Sequence, residues 1–239
     1  GFITGYRWVS SFEGIISEEP SFTTDTLSLG IHEIFFYVRD NDNQWSDPVN
    51  LTIRINSYPE IVNVNWDRAE IFRFENVILR GEIYDMEDSI SDINFKLQYK
   101  HPFEENYSTS NASLSVMSEN MFSTTFVTNS SFENVLYDFR IIVTDKDNAT
   151  TIFYYNQSLK INNNLPIVGE IVPSEFIINE GSYLYLYANF SDDVEVVLHE
   201  WSSNLQGIFE NESQISINKL VPGVHQITYR VTDNDGGQA

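Results

Sequence analysis

Short runs of alternating apolar and polar residues, each broken by Asp, Asn, Gly or Pro, make up most of this chain. Three of them share one design. Phe36 to Asn43 (FYVRDNDN), Ile141 to Asn148 (IIVTDKDN) and Thr228 to Asp235 (TYRVTDND) each read as a period-2 strand running into an acidic turn. The first two lead into another strand, Val49 to Asn56 and Thr151 to Asn162. A proline-bearing hinge follows each, Ser57-Tyr58-Pro59 or Asn164-Leu165-Pro166, and then a new apolar run, Ile61 to Val64 or Ile167 to Ile171. Proline cannot donate a ladder hydrogen bond, so each hinge marks a boundary between sheets.

Two distant segments align without a gap at one constant offset. Trp8 meets Trp201, Ser10 meets Ser203, Gly14-Ile15 meets Gly207-Ile208 and Leu27 meets Leu220. Gly30, His32, Ile34 and Val38 meet Gly223, His225, Ile227 and Val231, and Asp40-Asn41-Asp42 meets Asp233-Asn234-Asp235. The paired tryptophans are expected to anchor sandwich cores, and the paired glycines to turn the chain before a strand. His32 and His225 recur at a strand start, which favours a structural hydrogen bond over metal ligation; His101 and His199 have no cluster around them.

The hinges divide the chain into residues 1–56, 57–163 and 164–239. The first unit is expected to lack its opening strands and the third its last one, so that neighbouring repeats or a strand from another subunit would cover exposed edges. Linkers of two or three residues leave the units little freedom. The expected architecture is an extended rod.

Composition agrees. Aromatic residues make up 14% of the chain, and Phe and Tyr are abundant where Ala is scarce, a bias towards pleated strands. A net charge of −22 repels phosphate backbones and anionic lipid, which argues against nucleic-acid and membrane-surface binding. The lack of cysteine removes disulfides, thiolate metal sites and Cys nucleophiles. No apolar stretch is long enough to insert directly into a membrane.

The segment from Gly5 to Asn56 resembles the polycystic-kidney-disease (PKD) repeat in the divergent form of archaeal cell-surface proteins. Tyr6-x-Trp8, Ser10-Ser11, Gly14, Leu27-Ser28-x-Gly30-x-His32 and Val38-x-Asp40-Asn41-Asp42 carry the likeness. Residues 164–239 repeat it through Trp201, Ser202-Ser203, Gly207, Gly223-x-His225 and Val231-x-Asp233-Asn234-Asp235-Gly236. The middle unit has no matching tryptophan and looks more like an immunoglobulin or fibronectin-type relative. The resemblance implies an all-β chain of tandem immunoglobulin-like sandwiches, with a role in surface assembly or contact and no reaction.

Two kinds of residue carry candidate chemistry. Asn-x-Ser/Thr sequons stand at Asn50, Asn106, Asn111, Asn129, Asn148, Asn156, Asn189 and Asn211, none with proline in the middle, and point to a glycosylated exterior protein. The acidic turns Asp40-x-Asp42, Asp145-x-Asp147 and Asp233-x-Asp235, with the earlier sets Asp85, Glu87, Asp88 and Asp192, Asp193, Glu195, offer oxygens to calcium. The same residues are also ordinary turn formers that cap their own backbone, and they lack EF-hand spacing. No GxSxG, HExxH or phosphate-cradling glycine loop is present. An enzyme is therefore not expected.

The sequence thus predicts a structural repeat segment of an extracellular surface-layer, filament or stalk glycoprotein, whose partners are neighbouring repeats or subunits of the same protein. The alternative is an adhesin or a module that binds surface glycans or proteins, with Trp45 and Trp66 available to stack on sugar rings, although Trp66 lies near a strand that could bury it.

Overall fold

The computed structural model describes all 239 residues, and apart from one 3-10 turn, Ile90–Asp92, its regular structure is entirely β. Strand pairs form five sheets, and none pairs across the two proline hinges. No helix is long and apolar enough to cross a membrane.

The N-terminal region holds β1 (Ile3–Ser10), β2 (Gly14–Ser17), β3 (Gly30–Asp40) and β4 (Val49–Ile55), in one antiparallel sheet of order β2-β1-β3-β4. Only Ser10, His32 and Ile34 are buried in it, because no second sheet lies over its apolar face.

The middle region holds β5 (Glu60–Trp66), β6 (Glu70–Phe72), β7 (Asn76–Tyr84), β8 (Asn94–Lys100), β9 (Ser108–Thr109), β10 (Ser115–Val116), β11 (Met121–Val127), β12 (Leu136–Thr144) and β13 (Thr150–Asn162). Its sheets run β10-β11-β7-β5 and β6-β13-β12-β8-β9, with β6 parallel to β13 and every other pair antiparallel. Alternation explains how they stack. On β7 Val77, Leu79, Gly81 and Ile83 face inward, and on β12 Tyr137, Phe139, Ile141 and Val143 do the same. All of these except Gly81 belong to a core of 18 buried hydrophobic side chains. Gly81 is required where Phe122 crosses, since a Cβ there would lie 2.7 Å from the ring.

This strand order is the immunoglobulin one: a four-strand sheet facing a sheet built on the central pair β8 and β12. A second signature agrees. The Tyr137 hydroxyl, near the start of β12, accepts a hydrogen bond from the backbone N–H of Glu133 at 2.9 Å, the tyrosine corner of such sandwiches. The fold is an immunoglobulin-like β-sandwich.

The C-terminal region holds β14 (Ile167–Pro173), β15 (Leu184–Ser191), β16 (Val196–Ser203), β17 (Gly207–Glu210), β18 (Gln214–Ile217) and β19 (Ile227–Asp233). Its sheets, β14-β15-β18 and β17-β16-β19, enclose eight buried hydrophobics around Trp201. The sheet β17-β16-β19 reproduces β2-β1-β3 residue for residue, including both register irregularities, at Trp8/Val9 and Trp201/Ser202 and at Ile3/Gly5 and Val196/Leu198.

The repeat extends to hydrogen bonds. Trp8 Nε1 donates to the Glu19 carbonyl at 3.1 Å, and Trp201 Nε1 to the Glu212 carbonyl at 2.8 Å. The rings of His32 and His225 bridge a serine hydroxyl, Ser10 or Ser203, to a backbone carbonyl, Ser28 or Val221, at 2.7–2.8 Å. Both histidines are structural. Gly30 and Gly223 adopt φ of 121° and 150°, where a side chain would be strained.

Candidate functional site: ion pairs where the sheets meet

The hinge sequences place an asparagine three residues before each proline, Asn56 and Asn163, and both prolines are buried. The acidic turn of the following region folds back to meet that asparagine. In each turn the first aspartate uses Oδ1 to accept backbone N–H groups: Asp145 from Ala149 at 2.8 Å, and Asp233 from Asp235 and Gly237 at 2.9 and 2.7 Å. Its Oδ2 accepts the asparagine amide of the hinge, Asn56 to Asp145 at 2.6 Å and Asn163 to Asp233 at 2.7 Å. Asp40 makes the same turn, accepting from Asp42 and Gln44, without such an asparagine.

Cationic side chains complete both junctions. At the first, Arg54 on β4 reaches Asp147 at 2.8 Å and Asp88 at 3.4 Å, and Lys146 pairs with Asp88, whose side chain is fully buried. The ammonium of Lys146 and then the Arg54 guanidinium hold the Asp88 carboxyl below its ordinary pKa, and Asp88 in turn raises that of Lys146. Glu87 accepts from the Ser57 amide and hydroxyl at 3.2 and 2.5 Å.

At the second junction a single residue does most of the bridging. Arg73, in the turn after β6, has a side chain only 1% exposed. It binds the Phe132 carbonyl and Asn163 Oδ1 on its own side, and Asp193 at 3.3 Å and Asp235 at 2.6 Å on the other. Burial opposes its charge, yet the hydrogen bond to Asp235 and the field of Asp235 and Asp193 outweigh that and raise its pKa. Asn164 adds bonds to Asp193 and to the Arg73 carbonyl at 2.9 and 3.2 Å. A buried charge this well partnered costs several kcal/mol, about 3–5, if one partner is deleted.

The carboxylates offered to calcium therefore fall into two groups. Asp88, Asp147, Asp193 and Asp235 face arginine or lysine, while Asp40, Asp145, Asp233, Asp85, Asp192 and Glu87 hold turn or hinge amides. Nowhere do three His, Asp or Glu side chains gather in a metal-holding group, and Asp42 and Glu195 join none. Besides Thr124 Oγ1 in the middle core, three buried oxygens, all beside the hinges, keep an unpaired acceptor: Asn56 Oδ1, Asp85 Oδ2 and Asp192 Oδ1. These are the positions at which a water or small cation would be received.

All eight sequon asparagines are exposed, so none is sterically closed to modification. Asn129 alone turns its side-chain oxygen onto its own sequon serine, Ser131, at 2.6 and 2.8 Å. The tryptophans offered for sugar stacking are engaged elsewhere. Trp66 packs edge-on against Phe139 in the middle core and donates to Ser158 Oγ at 3.1 Å, because its strand faces inward there. Trp45 lies 4.4 Å from the Arg7 guanidinium and 5.4 Å from that of Arg39.

Sequence reasoning missed the clamping residues Arg54, Arg73 and Lys146. A signal existed in the matched Asn-x-x-Pro hinges, which repeat a polar side chain where a mere linker needs none.

No protein-family model matches this chain, and neither does any curated protein. Several solved structures are similar to this chain. A tetra-tandem repeat from the extending region of a large adhesion protein aligns over 98% of this chain and 63% of that one, at 12% identity and a TM-score of 0.42. The full ectodomain of mouse nectin-like molecule 4 aligns over 98% and 86%, at 10% identity and 0.33. The fibronectin(III)-like modules of Clostridium thermocellum CbhA align over 74% and 89%, at 10% and 0.31. Scores of this size carry no weight, and the fold rests on the strand order and the tyrosine corner.

Proposed function

We propose that this chain is a spacing segment of an exterior repeat glycoprotein, in which residues 1–56, 57–163 and 164–239 are successive units held in a semi-stiff row. The observation that carries this reading is the buried Arg73 joined to Asp193 and Asp235 across a hinge. A flexible tether has no use for a desolvated, four-partnered cation, whereas a segment that must keep its length does. The paired asparagines Asn56 and Asn163 repeat part of the same fastening at both hinges.

The likeness to PKD repeats, the acidic surface and the exposed sequons favour a cell-surface setting, in a filament, stalk or surface layer, with further copies of the same protein as partners. Structure is the role, and catalysis is not part of it. Immunogold electron microscopy of native cells tests this directly. Label is expected on an ordered layer or projection outside the membrane, and cytoplasmic label would contradict the proposal.

A second reading, an adhesin or binding module, is favoured by one feature. A cleft of about 610 Å³ opens between the C-terminal sheets, lined in part by Ile171, Ile177, Leu186 and Val221, with Phe176 and Val224 almost wholly exposed. Capture of a defined glycan or protein, lost on Phe176→Ser, would favour that reading.

A further inference from the structure

The outer face of β15 carries a constellation that the spacing role does not use. Strand alternation sends Leu184, Leu186 and Ala188 inward and leaves Tyr185, Tyr187 and Asn189 outward on one line. The two tyrosines keep 40% and 36% of their surface in water, and their rings lie 6.0 Å apart. The Tyr185 hydroxyl is tied to Gln214 Oε1 on the neighbouring strand, which fixes its ring. Together Tyr185, Tyr187, Asn189 and Gln214 line a hollow of about 400 Å³.

Asn189 heads the sequon Asn189-Phe190-Ser191 at the rim of this hollow, and its side chain makes no hydrogen bond within the chain. On its flank the pairing of β14 with β15 slips between Val168 and Ile171, and Gly169 lies in the slip. A Cβ on Gly169 would stand 3.5 Å from Asn189 Cβ and 3.3 Å from its carbonyl oxygen, so glycine keeps that side open.

We propose that Asn189 carries an N-linked glycan whose first sugars lie in this hollow, stacked on Tyr187 and then Tyr185. Aromatic faces receive the apolar face of a pyranose ring while the Gln214 amide and the tyrosine hydroxyls meet its hydroxyl groups. The glycan then covers the outer face of the sheet β14-β15-β18. This rests on the reading of the chain as an exterior glycoprotein. Asn156 also has a tyrosine two residues before it, Tyr154, 55% exposed, and serves as the comparison site.

The test uses the whole chain secreted from a eukaryotic cell line that modifies Asn-x-Ser/Thr sites, with occupancy read site by site by mass spectrometry. Asn189 should be occupied, and an endoglycosidase should trim it several-fold to about tenfold more slowly than Asn50 or Asn156, the protection expected of an aromatic stack. The double variant Y185T/Y187T should remove the protection, and Y187F should keep it. Asn189 left bare while other sequons are filled, or trimmed at their rate whatever stands at 185 and 187, would overturn the inference and leave the glycoprotein reading intact. All eight sequons bare would overturn both.

Discussion

Trp8 and Trp201 occupy the same place in two copies of one pattern, yet the first is only partly buried and the second fully. Their local bonds are alike. Each indole N–H reaches a carbonyl eleven residues on, and each ring lies against an aromatic of the next strand, Phe36 at 4.2 Å or Tyr229 at 4.3 Å. The difference is the second sheet, β14-β15-β18, which covers Trp201 and has no counterpart over Trp8. A repeat of this kind encodes its hydrogen-bond framework locally, while the hydrophobic contribution comes from whatever packs on its face. The two junctions show a similar contrast. Asparagine fastens both, but Arg54 clamps the first from a half-exposed strand position and Arg73 the second from a buried turn.

The largest effect should come from the tryptophans. Trp201→Ala removes a fully buried indole and should cost the C-terminal region about 3–5 kcal/mol in chemical denaturation. Trp8→Ala should cost the N-terminal sheet less than half of that. Equal losses would mean that the second sheet does not set the difference.

Next come the clamps. Arg73→Gln leaves Asp193 and Asp235 without a cation and should destabilise by about 3 kcal/mol. Arg54→Gln should cost no more than about 1 kcal/mol, since water and Lys146 replace much of what is lost. Calorimetry on the two variants ranks them, and a reversed order would break the distinction between the junctions.

The smallest effect is an acid response confined to one copy. Glu13 accepts from the Ser28 hydroxyl and amide and from Ser10 Oγ, and these bonds lower its pKa from 4.5 to about 2. Gln206 stands in its place in the C-terminal region and accepts the Val221 amide at 2.9 Å. Because the Glu13 value is depressed, its contribution is complete above about 4.5 and is lost as the pH falls through about 2. The Ser28 amide proton shift, followed by NMR, should move across that window while Val221 stays flat. Glu13→Gln should abolish the movement. A Val221 response of equal size would defeat the comparison.

Much of this was legible in the chain itself. Period-2 alternation marks the strands, and the offset between Trp8 and Trp201 carries over to paired registers, bulges and histidine bonds. The acidic turns were legible as turns but not as sockets, because Arg73 lies 162 positions from Asp235 and no local pattern links them. The packing of Trp66 was legible as one of two alternatives, since its place at the end of an apolar run allowed either the core or the solvent, and it packs against the core.

The central claim is that side-chain cations set the angle between the middle and C-terminal regions. Pulsed EPR between spin labels on β11 and β17 measures it most directly. A narrow distance distribution that survives a calcium chelator and broadens in Arg73→Gln is the predicted result. A distribution that broadens on chelation and ignores Arg73→Gln would contradict the account and give the junction back to a bound metal ion.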